Sequence, residues 1–174
     1  MDAISINSVS VGNACINLTK EHMKIEEKSI REILRDYINN EHCLRMKGFI
    51  QHGTVTTYAH CINVVNIAVK LNKLFGEKAN THDLVVGAFL HDFYLYDWHK
   101  QDGRDYKGLH GLKHPEIARL NAEKVFNIND NVKHIIETHM WPLTITKIPK
   151  SREAVIVTLS DKYISLLETF KLVK

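Results

Sequence analysis

Hydrophobic residues along most of this chain recur every three or four positions, which is the spacing of an amphipathic α-helix. On one such segment, Val64 and Ile67 share a face with His60. Another segment, LVVGAFL at residues 84–90, is hydrophobic on every side and indicates a buried central helix. After residue 20, no segment shows the strict alternation of a convincing β-strand. The pattern therefore predicts an all-α fold, a single-domain helical bundle of about seven helices.

Residues that favour helix ends indicate where these helices begin and stop. A capping side-chain oxygen accepts a hydrogen bond from a backbone N–H of the first turn, and proline is favoured at the first helical position. Because the residue before a proline avoids helical geometry, Pro142 should end one helix at Trp141. The expected helix starts are Thr54, Thr81, His114-Pro115, Asn129 or Asp130, and Ser151.

The length and the cysteine pattern indicate one globular domain without disulfide bonds. Residues 1–17 lack helical periodicity, so we interpret them as a flexible or peripheral arm before a helical domain at residues 18–174. A chain of 174 residues is long enough to bury one substantial core. Its three cysteines include no CxxC pair, which argues against a disulfide framework or a thiolate metal site.

The charge and hydropathy of the chain limit the classes of partner that we expect it to bind. A net charge of +3 suits an anionic small molecule and does not by itself indicate a nucleic-acid-binding protein. No hydrophobic run approaches the roughly 20 residues of a membrane span, and the N-terminal residues do not resemble a signal peptide. We therefore expect a cytoplasmic protein that does not act at a membrane.

Histidine is unusually frequent, with 11 in 174 residues, and several histidines lie on predicted core-facing stripes. Burying a histidine or an aspartate among hydrophobic residues is costly unless a partner satisfies it, and a shared metal ion would satisfy several at once. Imidazole together with carboxylate suits Fe, Mn, Zn, Co or Ni better than Ca or Mg alone. The candidate ligands are His60, His91, Asp92, His114, His139 and Asp161.

The number of candidate ligands points to two metal ions. A single catalytic zinc uses three or four ligands, whereas six are enough for two divalent transition-metal ions if Asp92 bridges them. Two metals can hold a bridging hydroxide and clamp an anionic substrate. A second pair, His82-Asp83, lies at a predicted helix start, and we assign it to interactions of that helix start. Any single histidine is more often a core or surface residue than a ligand, so the prediction depends on the whole set.

The order His, His-Asp, His, His, Asp on a helical chain resembles the HD-domain superfamily of metal-dependent phosphohydrolases. The resemblance covers roughly residues 50–170 and includes the local sequences AFLHDFYLYDW and VTLSDKY. It implies an HD-type helical fold in which a core set and an extra histidine pair hold two metals. The implied first site is His60, His91, Asp92 and Asp161, and the second is His114 and His139 with Asp92 as the bridge.

The resemblance also implies hydrolysis of a phosphate ester or anhydride by a metal-bridged hydroxide, with Asp92 in the catalytic centre. The substrate would be a nucleotide or a related small phosphorylated metabolite. In the polar segment 97–113, His110 is a candidate general acid because the ordinary histidine pKa fits neutral pH. The same segment offers cations for phosphate oxygens, although it could equally be a solvated loop. The candidate substrate-binding residues are Arg104, Lys107 and Lys113.

Two other hypotheses stay open at this point. Some HD-fold proteins use the same ligand order for a mixed-valence di-iron site that activates oxygen and cleaves C–H or C–P bonds. A metal-stabilised binding module without turnover is the third alternative. His52 is expected near the mouth of the pocket, and Asn63 is expected to support His60 from one helical turn away. The sequence does not name the substrate, the native metal or the oligomeric state, and a homodimer is left open.

Overall fold

The structure is a computed structural model that describes residues 27–100 and 109–172. The chain consists of two compact units, and the boundary between them lies between Arg35 and Asp36. In the described part of the first unit, residues 27–33 are helical. The predicted arm at residues 1–17 lies outside the described residues, so its boundary stays a prediction.

Helices dominate the described residues, and this confirms the predicted all-α fold class. No helix of the described part is long and hydrophobic enough to cross a membrane. A short 3-10 helix and a two-stranded antiparallel hairpin connect the second helix to the third. The elements are α1 (Arg35–Ile38), α2 (Glu41–Arg45), a 3-10 helix (Met46–Gly48), β1 (Ile50–His52), β2 (Val55–Thr56), α3 (Thr57–Leu74), α4 (Thr81–Leu90), α5 (His110–Val125), α6 (Asp130–Thr138) and α7 (Arg152–Thr169).

The hairpin is the one strand pairing of the described residues, and the sequence pattern did not predict it. Its strands have three and two residues, too few to show a period of two. Ile50 pairs with Thr56 and His52 pairs with Val55, and the turn between them has Gly53 at a φ of 59°. A positive φ of this kind favours glycine. The hairpin packs on α3 and α7 and carries the buried side chain of Gln51 towards the interior.

The core forms where α4 packs between its neighbours. Every residue from Asp83 to Leu90 is buried, which confirms the predicted central helix. Helices α3, α6 and α7 all pack on α4, and α3 also packs along α7. A Cβ atom on Gly87 would lie 2.7 Å from the side chain of Ile135. The glycine therefore allows α6 to approach α4 closely, and this brings the C-terminal ends of both helices together.

The helix caps agree with the predictions at two positions and differ at two others. Asn129 caps α6 and Ser151 caps α7, both as predicted. At α3 and α4 the capping residues are Thr56 and Asn80, whereas Thr54 and Thr81 were expected. Both errors are shifts of one or two residues between neighbouring side chains with the same capping ability.

Two predicted helix boundaries are wrong by several residues. Helix α5 begins at His110, so Pro115 lies inside the helix and not at its first position. Proline there leaves one backbone carbonyl of the preceding turn without its usual donor, a cost that the packing of α5 tolerates. Helix α6 ends at Thr138, earlier than the expected end at Trp141, and the chain then turns through a cis Trp141–Pro142 peptide.

Candidate metal centre

The six predicted ligands come from five helices and meet in the interior. Three occupy helix bodies, on α3, α5 and α7, while two histidines stand at the C-terminal caps of α4 and α6. Aspartate 92 follows the α4 cap directly. All six side chains are buried, with residue exposures between 0% and 6%. The residues brought together are His60, His91, Asp92, His114, His139 and Asp161.

Asp92 lies at the centre of the cluster, and its two oxygens face different histidine pairs. Oδ2 lies 3.3 Å from Nε2 of His91 and 3.7 Å from Nε2 of His60. Oδ1 lies 3.2 Å from Nε2 of His114 and 3.6 Å from Nε2 of His139. A carboxylate in this position is suited to bridging two cations, one on each side.

Asp161 completes one of the two sides. Its Oδ1 lies 3.2 Å from Nε2 of His60 and 3.7 Å from Nε2 of His91. Three groups of possible ligand atoms among the described residues have spacings compatible with a metal ion; one is His52, His60 and Glu168, and the other two lie within this cluster and share His91. These two groups are His60, His91 and Asp161, and His91, Asp92 and His139.

Hydrogen bonds fix the orientation of every histidine ring in the cluster. Nδ1 of His91 donates to the backbone carbonyl of Ala88 at 2.7 Å, and Nδ1 of His139 donates to that of Ile136 at 2.7 Å. His114 and His60 are bonded in the same way, to the His110 carbonyl at 3.0 Å and to the Glu168 carboxylate at 2.8 Å. Since these acceptors require a proton on Nδ1, Nε2 is the nitrogen of each ring that faces the cluster.

The arrangement leaves buried polar atoms that a cation would satisfy. Nε2 of His114 lies 2.8 Å from Nε2 of His139, although each ring already carries its proton on Nδ1. Within the described residues, Nε2 of His91 and Oδ1 of Asp92 have no hydrogen-bond partner. Unsatisfied buried groups of this kind are costly. A positive charge between them removes the cost, so the residues fit divalent metal ions.

The electrostatics keep the carboxylates ionised. Burial alone would raise the pKa of Asp92, but His91 and His114 hold it well below its usual range. Burial would likewise raise the pKa of Asp161, and the neighbouring His60 and His91 lower it instead. Burial together with the nearby His114 and His91 lowers the pKa of His139 to about 3. His139 is therefore neutral at physiological pH, as a metal-binding imidazole must be.

A polar triad that the sequence did not reveal supports Asp92 from the hairpin side. The side-chain amide of Gln51 donates to Oδ2 of Asp92 at 2.5 Å. The Gln51 carbonyl accepts a short hydrogen bond from the Tyr94 hydroxyl, and the Thr57 hydroxyl lies 3.2 Å away. Since its amide group is held at both ends, Gln51 fixes the position of the Asp92 carboxylate.

His60 is supported from a different direction, by a buried carboxylate. Oε2 of Glu168 accepts from Nδ1 of His60, and Oε1 accepts from the side-chain amide of Asn63 at 3.1 Å. Asn63 therefore supports His60 as expected, but it does so through Glu168. Glu168 lies seven residues after Asp161 on the same face of α7, and this spacing was the available signal for it.

A cavity of about 730 Å³ opens onto the cluster. His114 and Asp161 lie at its base, and His52 lines it near the hairpin. Lys162 also lines the cavity and donates to the backbone carbonyl of His139 at 3.1 Å. Burial lowers the pKa of Lys162, against the opposing effect of Asp161 and Asp92. The hydrophobic part of the wall consists of Trp98, Leu109, Met140, Leu166 and Phe170.

The predicted general acid and substrate-binding residues have different positions relative to this cavity. His110 lines it, with its ring centroid 5.0 Å from Trp98 and 4.6 Å from His114. Lys113 is exposed on α5 and is not part of the cavity wall. Arg104 and Lys107 lie outside the described residues, so their predicted role is still a prediction.

Comparison with known proteins agrees with this geometry. The fold and the site together define a class of protein: a helical domain with a buried cluster of histidines and aspartates that could hold metal ions. The HD domain family model matches residues 57–166, and the chain belongs to the HD domain family. Members of this family are generally metal-dependent hydrolases. No curated protein and no solved structure matches the chain.

Proposed function

We propose that this protein is a metal-dependent phosphohydrolase with two divalent transition-metal ions of the Fe, Mn, Zn, Co or Ni type. Its substrate is a small phosphate ester or anhydride, such as a nucleotide. The observation that supports this most strongly is the position of Asp92, whose two oxygens face two separate histidine pairs. A single ion would leave one of these pairs without a partner.

The histidines that each Asp92 oxygen faces indicate which residues would bind each ion. One ion would be held by His60, His91 and Asp161, and the other by His114 and His139, with Asp92 between them. Bound metals of this kind lower the pKa of a water nucleophile and neutralise charge on phosphate oxygens. Everything else that the reaction needs has to come from side chains that line the cavity.

Lys162 and His110 are the side chains placed to act on the substrate. The Lys162 ammonium group lies at the cavity wall next to Asp161, where it binds phosphate oxygens as their negative charge develops. His110 gives a proton to the leaving oxygen as its bond to phosphorus breaks, while the attacking water contributes the new P–O bond. The hydrogen bond of 2.8 Å between His110 Nδ1 and the Tyr96 hydroxyl holds the ring in place.

The wall of the cavity favours a substrate with a hydrophobic or aromatic group beside its phosphate. Trp98, Met140 and Phe170 offer flat or flexible hydrophobic surfaces against which such a group packs. A nucleoside monophosphate or an aryl phosphate combines both features. Inorganic pyrophosphate has no group to place there, and we expect it to be a poor substrate.

An oxygen-activating di-iron enzyme is the alternative, and the burial of the ligands favours it. All six ligands are at most 6% exposed, and a closed, hydrophobic site protects reactive oxygen intermediates from side reactions. The same ligand atoms suit both reactions. Only turnover separates the two hypotheses.

The test is a turnover screen on the metal-loaded protein with Mn, Fe or Co. Nucleoside monophosphates, dinucleotides and an aryl phosphate serve as substrates, and oxygen consumption is followed in parallel. We expect phosphate release, with kcat/KM about 100- to 1,000-fold lower in Lys162→Ala. The control is Lys133→Ala on α6, whose ammonium group pairs with Asp130. Iron-dependent oxygen consumption without phosphate release would establish the alternative instead.

A further inference from the structure

We propose that the two metal sites are unequal, and that the carboxylate of Glu168 makes the His60 side the tighter site. Glu168 is then a positioning residue that acts through His60. The inference rests on the two-metal centre proposed above. Glu168 also lies beyond residues 57–166, the part of the chain that matches the family model.

Glu168 is a buried charge with a defined role in the packing. The residue is 1% exposed, and its two oxygens accept from His60 and Asn63. A carboxylate is rarely buried unless it is paired. Here the pairing connects the C-terminal part of α7 to the first turns of α3, so folding itself places the charge behind the His60 ring.

The partner of His60 differs in kind from those of the other three histidines. His91, His114 and His139 donate to backbone carbonyls of their own helices, at 2.7 to 3.0 Å. A carbonyl offers a dipole, whereas Glu168 offers a full negative charge. A carboxylate behind an imidazole raises the basicity of the opposite nitrogen, which strengthens the bond of that nitrogen to a metal.

The number of carboxylates near each proposed site also favours tighter binding on the His60 side. On the His60 side lie Asp161 and one oxygen of Asp92, with Glu168 directly behind. On the other side, His114 and His139 share only the second Asp92 oxygen. Attraction between opposite charges is strong in a buried, low-dielectric site. A divalent cation is therefore held more strongly beside His60 than beside His114.

His52 lies close to His60 and Glu168, but it does not change the role that we assign to Glu168. Ligand atoms of His52, His60 and Glu168 are near enough to one another to hold an ion. However, the Nδ1 proton of His60 already binds Glu168, and a third ion would have to displace it. We therefore assign Glu168 to the support of His60, and we expect His52→Ala to bind the same number of ions as the wild type.

The experiment is a calorimetric titration of the metal-free, full-length protein with Mn²⁺, repeated with a competing chelator to resolve tight binding. We expect two classes of site whose Kd values differ by at least about tenfold. In Glu168→Gln, which keeps the shape and removes the charge, the tighter class should weaken by about 10- to 100-fold. The weaker class should stay within about threefold of the wild type.

Two further variants make the result specific. Glu153→Gln removes another buried carboxylate of α7, one that accepts from the backbone N–H of Asn80, and it should leave both Kd values unchanged. His114→Ala should remove the weaker class and keep the tighter one. Thermal unfolding of each variant shows whether a change in affinity reflects loss of the fold.

Several outcomes would overturn the inference. Two classes of equal affinity contradict it, as does a tighter class that Glu168→Gln leaves unchanged. An equal loss in Glu168→Gln and Glu153→Gln would assign the effect to general destabilisation. Absence of any Mn²⁺ binding to the wild type is a different result, because it contradicts the proposed metal centre itself.

Discussion

The dipeptide His-Asp occurs at both ends of helix α4, and the two copies make different contacts. His82-Asp83 stands in its first turn, and His91-Asp92 follows its last turn. Both aspartates are largely buried, at 9% and 2% exposure. Composition and burial therefore do not distinguish them, and the difference lies in what their oxygens contact.

At the start of the helix, the carboxylate of Asp83 is fully satisfied by neutral donors. Oδ1 accepts from the side chain of Asn129 at 2.8 Å, and Oδ2 accepts from that of Asn131 at 3.0 Å. The backbone N–H of Asp83 donates to the capping side chain of Asn80. His82 is mostly exposed and makes a long contact of 3.3 Å. This pair joins α4 to α6, and both of its carboxylate oxygens already have hydrogen-bond donors.

At the end of the helix, the atoms of His91-Asp92 are oriented and still unsatisfied. His91 is fully buried, and its Nε2 has no hydrogen-bond partner among the described residues. Asp92 faces four Nε2 atoms. Both carboxylate oxygens of Asp83 have donors, whereas Asp92 has a donor from Gln51 on Oδ2 and none on Oδ1. The second pattern is typical of a site that binds a cation.

The largest expected effect comes from Asp92→Asn. The amide keeps the size of the side chain but cannot bridge two cations, so we expect loss of bound metal and a fall in kcat/KM of about 1,000-fold or more. Without metal, the variant should be less stable than the metal-free wild type, because His91 and His114 hold the pKa of the ionised Asp92 well below its usual range. Metal analysis, turnover and chemical denaturation measure the three effects.

The same substitution at the other end of α4 should lower stability without affecting metal binding. Asp83→Asn places an amide against the donors of Asn129 and Asn131, and it should lower the free energy of unfolding by about 1–3 kcal/mol. Metal content and kcat/KM should stay close to the wild type. If Asp83→Asn lost metal, or if Asp92→Asn kept it, the distinction between the two pairs would be wrong.

The contribution of Asp83 should also depend on pH. Burial would raise its pKa, but hydrogen bonds from Asn131, Asn129 and His82 lower it. A carboxyl group with a depressed folded-state pKa stabilises the protein above its unfolded-state pKa, near 3.9, and loses that contribution as the pH falls through the folded-state value. The stability difference between wild type and Asp83→Asn should therefore be constant near neutral pH and shrink below about pH 4.

The smallest effect is expected for His82→Ala, which serves as the control for the pair. Its side chain is 58% exposed, so the loss of stability should stay within about 0.5 kcal/mol. Metal content should not change. A larger loss would mean that the contact with Asp83 contributes more than its length of 3.3 Å indicates.

Much of this fold and of the buried cluster of histidines and aspartates could be predicted, because both follow from local sequence patterns. Helical periodicity identified α4 as a buried helix and placed His60 on an inward face. The order of the histidines and aspartates then indicated which of them belong together. The second pair, His82-Asp83, was separated from the first by its position at a helix start alone.

Two supporting residues, Glu168 and Gln51, were not predicted, because the residues that they support are distant in sequence. Glu168 lies 108 residues from His60, and Gln51 lies 41 residues from Asp92 on a strand too short to show a pattern. Lys162 was overlooked beside Asp161, because a lysine on an amphipathic helix is ordinarily solvated. The start of α5 was misplaced because Pro115 suggested a first position, whereas packing carries the helix through it.

The most direct test of the two-metal centre is the metal content of the purified, full-length protein, measured by mass spectrometry after removal of loosely bound ions. We expect Fe, Mn, Zn, Co or Ni at up to two ions per chain, with two reached after incubation with excess Mn²⁺. Asp83→Asn should match the wild type, and Asp92→Asn should bind neither ion tightly. A wild type that holds one ion or none at saturation, or an Asp92→Asn variant that still holds two, would contradict it.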